Sequence, residues 1–156
     1  MEGARKGDAM SMIRRTIPIA AACLFAGAAA HSQTTQETMK IKFTLNGTPV
    51  AAVLEDNATT RDFLALLPLK VKLEDYAATE KIAYLRSKLS TRGAPSATDP
   101  KAGDVTYYAP WGNLALFHKD FRRSPGLVKL GRIVEGFNAL RVAGTSEVTI
   151  ERVNAQ

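Results

Sequence analysis

Cysteine and histidine are scarce in this chain, which has one Cys and two His among its 156 residues. Cys23 and His31 lie near the N-terminus, so His118 is the only residue of either type beyond residue 32. A zinc site needs three or four protein ligands, mostly His and Cys, and a disulfide or a reactive thiol needs cysteine. We therefore expect no metal, no disulfide and no cofactor, and we expect His118 to be exposed or capped.

Paired carboxylates and a nucleophile beside a base are also missing. Acidic residues are scattered over turns and strand ends, and they include Glu74-Asp75, Asp99, Asp104 and Asp120. This scatter does not support the two facing carboxylates of a glycosidase. Neither Ser96 nor Ser124 lies in a Gly-x-Ser-x-Gly sequence, which argues against a hydrolase of that class.

Long hydrophobic runs are absent apart from one near the N-terminus. Arg14 and Arg15 precede an Ala-rich run from Ile17 to Ala30, and small residues continue to Ser32. This order is typical of a secretory signal peptide, and the run is too short to span a membrane comfortably. We expect residues 1–32 to be a signal peptide cleaved after Ala30 or Ser32, and residues 33–38 to be a flexible lead-in. The mature protein is then periplasmic or secreted, without a membrane anchor.

Two alternatives for this leader stay open. Arg14-Arg15 suits a twin-arginine signal, although Thr16 to Pro18 matches that signal poorly. Cys23 suits a lipidated cysteine, although Ala20 to Ala22 lacks the usual branched residue. The translation start also stays open among three methionines, Met1, Met10 and Met12.

A strong charge bias is lacking too. The chain has 21 Lys and Arg against 15 Asp and Glu. Residues 1–32 hold four basic and two acidic residues, which leaves 17 against 13, a net charge of +4, in the mature chain. Without an Arg-rich helix or interleaved aromatic and basic residues, we expect no nucleic-acid partner. Lys119, Arg122 and Arg123 could receive an anionic ligand, although a solvated turn is the simpler interpretation.

The globular part begins with hairpin and helix signals. Apolar and polar residues alternate from Met39 to Leu45, which indicates a half-buried strand. Asn46-Gly47 predicts a type I′ turn into a return strand from Thr48 to Leu54. Thr59 as a cap and Pro68 as a stop predict a helix over about residues 60–67.

Four further strands and a loop follow from the same patterns. The strands are expected at Leu69 to Leu73, Ile82 to Leu85, Leu127 to Ile133 (interrupted by Gly131) and Glu147 to Arg152, with a helical turn at Gly136 to Arg141. Residues 87–102 are rich in Ser, Thr, Gly and Pro and predict a long surface loop. Long loops in compact domains are often functional, so we expect this one to shape a binding site.

The central ribbon, residues 103–118, is apolar on both faces. Val105 and Tyr107 share one face of its first strand, and Leu114 and Leu116 share a face of its second, with a Pro-Trp-Gly-Asn turn around Trp111 between them. A strand that is apolar on both sides is buried on both sides. We therefore expect a closed β-barrel whose outside is partly covered here. The core is predicted to contain Ile41, Phe43, Leu45, Phe63, Leu67, Val71, Leu114, Leu116, Leu130 and Ile150.

The sequence Gly-Asp-Val-Thr-Tyr-Tyr-Ala-Pro-Trp-Gly-Asn at residues 103–113, together with Ser-Pro-Gly at residues 124–126 and the Asn-Gly hairpin, resembles the bacterial cyclophilin-like fold proteins. The resemblance extends from about Met39 to Glu151, within an expected domain over residues 39–153. It implies a mainly β fold, a closed eight-stranded barrel with two short helices, which is the shape of the peptidyl-prolyl isomerases called cyclophilins.

The chain departs from true cyclophilins where those enzymes hold their catalytic residues. Their Phe-His-Arg-Val-Ile segment, followed by Phe-Met-x-Gln-Gly-Gly, supplies an Arg and a Gln that polarise the prolyl amide. Residues 81–89 of this chain lack that pattern, and Arg86 is the only arginine there. The resemblance therefore implies the fold more strongly than the activity.

Three functions remain in competition. The first is a monomeric exported module that binds a peptide or small molecule in a groove lined by Tyr107, Trp111, Phe117 and the 87–102 loop, since a barrel mouth with a loop is a common ligand site. The second is a weak prolyl isomerase, and the third is an interaction domain without a small ligand. The candidate ligand-binding residues are Arg86, Tyr107, Trp111, Asn113, Phe117 and His118. A concave pocket with Arg86 or Arg92 at its lip would favour the isomerase.

Overall fold

A computed structural model describes residues 39–153, and the predicted signal peptide and lead-in lie outside these residues. The strands are β1 (Lys40–Leu45), β2 (Thr48–Leu54), β3 (Leu69–Tyr76), β4 (Glu80–Tyr84), β5 (Ala97–Thr98), β6 (Asp104–Tyr108), β7 (Asn113–Phe117), β8 (Ser124–Pro125), β9 (Leu127–Glu135) and β10 (Ser146–Val153). The helices of this region are α1 (Ala58–Ala65) and a 3-10 helix (Phe137–Arg141). None of the described helices is long and apolar enough to cross a membrane.

Eight of these strands close into an antiparallel barrel in the order β1-β10-β3-β4-β7-β6-β9-β2, which confirms the fold class expected from the sequence. The predicted Asn-Gly hairpin is present, because Asn46 and Gly47 have φ of 50° and 78° and Leu45 pairs with Thr48. β5 and β8 form a separate two-stranded sheet outside the barrel order. The 87–102 segment is therefore a loop with one short strand in it.

The interior of the barrel is filled by alternating residues of its strands. Nine of the ten predicted core residues are buried, and Leu67 is only partly buried against the core. The reason is that α1 ends at Ala65, earlier than expected, so Leu67 follows the helix instead of lying on its apolar stripe. The N-cap also differs from the predicted Thr59. Asn57 Oδ1 accepts a hydrogen bond from Thr60 N at 2.8 Å, whereas Thr59 Oγ1 donates to Ser90 O at 2.6 Å.

Gly131 does not interrupt β9, contrary to the sequence-based expectation. A Cβ at Gly131 would lie 2.2 Å from Val53 O, so glycine lets β2 approach β9 closely. The pairing register of β9 shifts at two other residues. Leu130 has no partner in the ladder with β6, and Val134 has none in the ladder with β2. These bulges help a long strand to bend around the barrel while both neighbours remain paired.

Candidate ligand-binding site

The outer face of the barrel has a second apolar cluster beside β7. Alternation along β7 directs Leu114 and Leu116 into the main core and leaves Ala115 and Phe117 on the opposite face. Ala115 and Phe117 are buried there with Ile82 and Leu127, and Phe121 packs against them from the segment after β7. The expectation that this ribbon is covered on its outside is confirmed.

A cavity of about 290 Å³, the outer-face cavity, opens in this covered region. Its apolar lining is mainly aromatic and includes Tyr76, Tyr108, Trp111, Phe117 and Phe121. Its polar lining includes Glu80, Asn113, Arg122 and Arg123. Apolar walls with a few polar groups are the usual composition of a small-ligand site, although the volume is near the lower end of the range for such sites, about 300–1,000 Å³.

Trp111 forms one side of the cavity from the β6–β7 turn. The turn is held by a hydrogen bond from Gly112 N to Tyr108 O at 2.9 Å, and Gly112 takes a φ of 71° that favours glycine. The rings of Tyr76 and Tyr108 each meet the indole edge to face, with ring centroids 5.4 Å apart. The two tyrosines thus fix the orientation of Trp111. Much of its surface stays open, since the residue is 46% exposed.

Phe121 lines the same cavity from the segment that follows β7. Its ring stacks on Phe117 with centroids 6.2 Å apart, and the Arg122 guanidinium lies 5.0 Å from the Phe121 centroid. Arg123 is oriented by Asp99, whose carboxylate lies 3.3 Å from the Arg123 Nη1 atom. Both arginines lining this cavity therefore already contact a neighbour.

Asn113 is a lining residue of the cavity and carries a buried acceptor. It is 1% exposed, and its Nδ2 donates to Leu114 O at 2.9 Å. Its Oδ1 is buried and has no hydrogen-bond partner among the described residues. Buried polar atoms are nearly always hydrogen-bonded in folded proteins, so an exception calls for an explanation.

Glu80 contributes a second acceptor. It is half-buried and lies opposite Phe117 in the β4–β7 ladder. Burial raises the pKa of the Glu80 carboxyl, and the hydrogen bond donated by Thr79 Oγ1 at 3.4 Å opposes that rise. A carboxyl group in this setting gains from a ligand that donates a hydrogen bond to it.

The structure brings three of the six predicted site residues together at this cavity, namely Trp111, Asn113 and Phe117. Tyr107 is elsewhere, because it shares the inward face of β6 with Val105, and its hydroxyl accepts a hydrogen bond from Leu89 N at 3.1 Å. Tyr107 therefore does not line this cavity.

Arg86 and His118 also lie away from the cavity. Arg86 Nη2 donates to Leu66 O at 3.2 Å, and His118 lines a different depression beside Asp75. No residue of the 87–102 segment lines the outer-face cavity either. The segment acts indirectly, because β5 pairs with β8, and Ser124 and Pro125 of β8 do line it.

The lining residues that were not predicted include Tyr76, Glu80, Tyr108 and Phe121. Tyr108 had a usable signal, since it alternates with Tyr107 and must face outward if Tyr107 faces inward. Tyr76 and Glu80 lie at the two ends of the β3–β4 turn, and only the barrel closure next to β7 places them beside Phe117.

A wider concavity of about 1200 Å³ lies on the outside of β1, β2, β9 and β10. Exposed charged residues border it, and some pair with each other, as Lys42 does with Glu151 at 3.8 Å. Phe43 is the single aromatic residue of its lining, in contrast to the five that line the cavity beside β7. In residues 39–153 no group of three or more His, Cys, Asp or Glu could hold a metal ion.

Comparison with known proteins agrees with this architecture. A search of curated proteins finds no match. Among solved structures, the hypothetical protein AF2241 from Archaeoglobus fulgidus matches with a TM-score of 0.56 and 21% identity, over 77% of this chain and 99% of that one. At that identity the likeness shows the fold alone. The model of the Cyclophilin-like family matches residues 43–151, which is most of the chain and nearly all of the described barrel. The chain therefore belongs to the Cyclophilin-like family.

Proposed function

We propose that this cyclophilin-like domain is a binding module that takes a short peptide segment or a small molecule into the outer-face cavity, without strong catalysis. The supporting observation is that Asn113, a lining residue of a cavity with aromatic walls, carries a buried Oδ1 acceptor without a partner in the described chain. An unsatisfied buried acceptor costs about 1–3 kcal/mol. A bound ligand that donates a hydrogen bond removes that cost.

The lining indicates the chemistry of the ligand. Asn113 Oδ1 and the Glu80 carboxyl are both acceptors, so the ligand should present N–H or O–H groups. The walls of Tyr76, Trp111 and Phe121 favour an apolar or aromatic body. A volume of about 290 Å³ accommodates one apolar side chain with its adjoining amide better than an extended polymer. An apolar amino-acid residue in a peptide fits these requirements.

A weak prolyl isomerase is less well supported. Such an enzyme needs a donor free to interact with the prolyl amide as that amide loses its resonance. Arg86 is outside the cavity and Arg123 pairs with Asp99, which leaves Arg122, oriented by its contact with Phe121, as the one lining arginine without an ion pair among the described residues. Arg92 does not line the cavity either. We therefore place ligand binding before catalysis.

The experiment uses Trp111, the only tryptophan in the chain, as a fluorescent reporter at the site. The probes are N-acetyl amides of Phe, Leu and Pro, each compared with its methyl ester, which lacks the terminal amide donor. We expect saturable changes in Trp111 emission, with the amides binding about three- to tenfold more tightly than the esters.

Two variants control for position. Tyr76→Ala removes a cavity wall, and Val142→Ala truncates an exposed apolar side chain after the 3-10 helix that is not in the lining. We expect about tenfold weaker binding in the first variant and unchanged binding in the second. The absence of saturable binding by every probe at millimolar concentration, or equal losses in both variants, would overturn the proposal.

A further inference from the structure

The depression beside Asp75 is a cavity of about 460 Å³. It lies where the β3–β4 turn, the residues after β7 and the end of the 3-10 helix meet. We define the charged cavity by its seven lining residues, Asp75, Ala77, Ala78, His118, Lys119, Arg141 and Ala143. Three of these residues are alanines, which leave room between the charged side chains. The outer-face cavity has none of these residues in its lining, so the two cavities are separate.

The only acid in this lining is already neutralised. Asp75 Oδ1 accepts a hydrogen bond from Lys81 Nζ at 2.5 Å, and Asp75 Oδ2 accepts one from Gly144 N at 2.6 Å. Both carboxylate oxygens thus have donors within the chain. Asp75 and Lys81 cancel in charge, so the remaining electrostatics of the cavity come from its basic residues.

The basic residues of the lining have no acidic partner of their own. Within the described part of the chain, neither Lys119 nor Arg141 takes part in a recorded ion pair. The Arg141 guanidinium is held in place by an aromatic contact, because its Cζ lies 4.8 Å from the Phe137 centroid. Two positive charges therefore face a cavity in which the only negative charge is compensated.

His118 adds an imidazole whose pKa depends on burial and on these surrounding charges. Burial is the largest cause of its lowered pKa, and Lys119, Lys81 and Arg141 lower it further, while Asp75 opposes them. These four charged groups belong to β3, β4, the segment after β7 and the 3-10 helix, which are the elements around His118. The His118 backbone is fixed, because its N–H donates to Thr79 O at 2.9 Å. The imidazole is thus a neutral group beside two unneutralised cations.

We propose that the charged cavity binds a phosphate-type oxyanion, held by Lys119 and Arg141 and accepting a hydrogen bond from His118. With neutral His118, the lining residues and the Lys81 that pairs with Asp75 together have a net charge of +2, which matches a phosphate dianion. Arg141 offers the fork of donors that suits phosphate oxygens, and Lys119 offers a compact charge. This site is independent of the ligand proposed for the outer face.

The test is a proton NMR titration of the His118 imidazole in the full chain, with that signal identified by its loss in His118→Gln. Inorganic phosphate and O-phosphoserine are the probes, and sodium chloride at matched ionic strength is the reference. A bound dianion favours the protonated imidazole, so we expect phosphate to raise the pKa of His118 by about one unit. Tighter binding of phosphoserine than of phosphate would indicate a phosphoryl group on a larger molecule, and equal binding would indicate free phosphate.

Three variants make the result specific. Arg141→Gln and Lys119→Gln should each abolish most of the phosphate-induced shift of His118. Arg92→Gln makes the same change in net charge at an exposed residue of the 87–102 segment and should leave the shift intact. A shift no larger in phosphate than in chloride, or one that survives in Arg141→Gln and Lys119→Gln, would overturn the proposal. Because His118 reports this cavity and Trp111 the other, the two proposals can fail separately.

Discussion

Lys81 and Asp75 form an ion pair in which the cation is buried and the anion is not. The Lys81 side chain is 1% exposed, and its Nζ lies 2.5 Å from Asp75 Oδ1, whereas the Asp75 side chain is 39% exposed. Lys81 shares its face of β4 with the core residue Ala83 and lies opposite Leu116 in the ladder. Its Nζ also donates to Gly144 O at 3.0 Å, so this end of β4, the β3 strand and the segment before β10 are joined through one amine.

We predict that Asp75→Asn destabilises the fold, because it leaves the buried Lys81 ammonium without its counter-charge. The expected loss in the free energy of unfolding is roughly 3 kcal/mol. Asp56→Asn is the matched control, since Asp56 pairs with Arg61 at an exposed position and should cost about 1 kcal/mol or less. Urea unfolding of the three proteins provides the measurement. Equal losses in the two variants would show that Lys81 does not depend on Asp75.

The Lys81–Asp75 pair also predicts how the stability of the fold changes in acid. The Lys81 hydrogen bond is the largest cause of the lowered pKa of Asp75, and the Gly144 amide adds to it. A carboxyl whose pKa is lowered by folding stabilises the protein fully above its unfolded pKa, near 3.9. That stabilisation is lost as the pH falls through the lower, folded value. The difference between wild type and Asp75→Asn should therefore shrink on acidification below about pH 4.

Glu80 should behave in the opposite way. Because burial raises the pKa of Glu80 in the folded chain, its charged form opposes folding above that folded value, and the penalty is absent below the unfolded pKa. Glu80→Gln should therefore raise the melting temperature at neutral pH, and the gain should diminish as the pH falls through the acidic range. Thermal unfolding across pH checks this. Glu147→Gln, at a side chain 70% exposed, should give no such gain, and an equal gain there would contradict the burial argument.

The barrel should have no appreciable prolyl isomerase activity. The barrier to X-Pro rotation is about 18–20 kcal/mol, and lowering it requires a grip on the proline ring with a free, positioned donor. We expect a protease-coupled assay on a proline-containing peptide to show the uncatalysed rate for wild type, Arg122→Ala and Arg86→Ala alike. Acceleration in wild type that disappears in either variant would make the domain an enzyme.

Export is predicted from the leader. The apolar run after Arg14 and Arg15 should direct the precursor across a membrane, with cleavage after Ala30 or Ser32. Mass spectrometry of the protein from a fractionated bacterial host should find a mature chain that begins at His31 or Gln33 outside the cytoplasm. A cytoplasmic protein that retains an N-terminus at Met1, Met10 or Met12 would contradict this expectation.

The sequence predicts the barrel well because its strands follow local rules. Strict alternation from Lys40 to Leu45, the Asn46-Gly47 turn and the two-sided ribbon around Trp111 each have one simple structural solution. Lys81 is where the local rule fails. A charged residue in a strand predicts an outward side chain, and only the tertiary pairing with Asp75 and Gly144 makes it tolerable in the interior.

The site is less predictable because it forms between elements that are distant in sequence. Trp111, Asn113 and Phe117 belong to one ribbon and could be identified from it. Glu80 and Phe121 reach the same cavity from the β3–β4 turn and the segment after β7, and nothing in the sequence of either indicates that meeting. Burial of Glu80 depends on this tertiary arrangement.

Asn113→Leu is the variant that separates fold stability from ligand binding. Leucine has nearly the shape of asparagine and removes the buried Oδ1 that lacks a partner in the described chain. We expect the free energy of unfolding to change by no more than about 1 kcal/mol, because removal of the unsatisfied Oδ1 is offset by loss of the hydrogen bond from Nδ2 to Leu114 O.

The most direct measurement of the central claim is a comparison of N-acetyl-phenylalanine amide and its methyl ester on wild type and Asn113→Leu, followed through Trp111 emission. The account predicts that wild type prefers the amide by about three- to tenfold, and that Asn113→Leu binds amide and ester equally, at the wild-type affinity for the ester. An undiminished preference for the amide in a folded Asn113→Leu, or no binding of either compound to wild type, would contradict it.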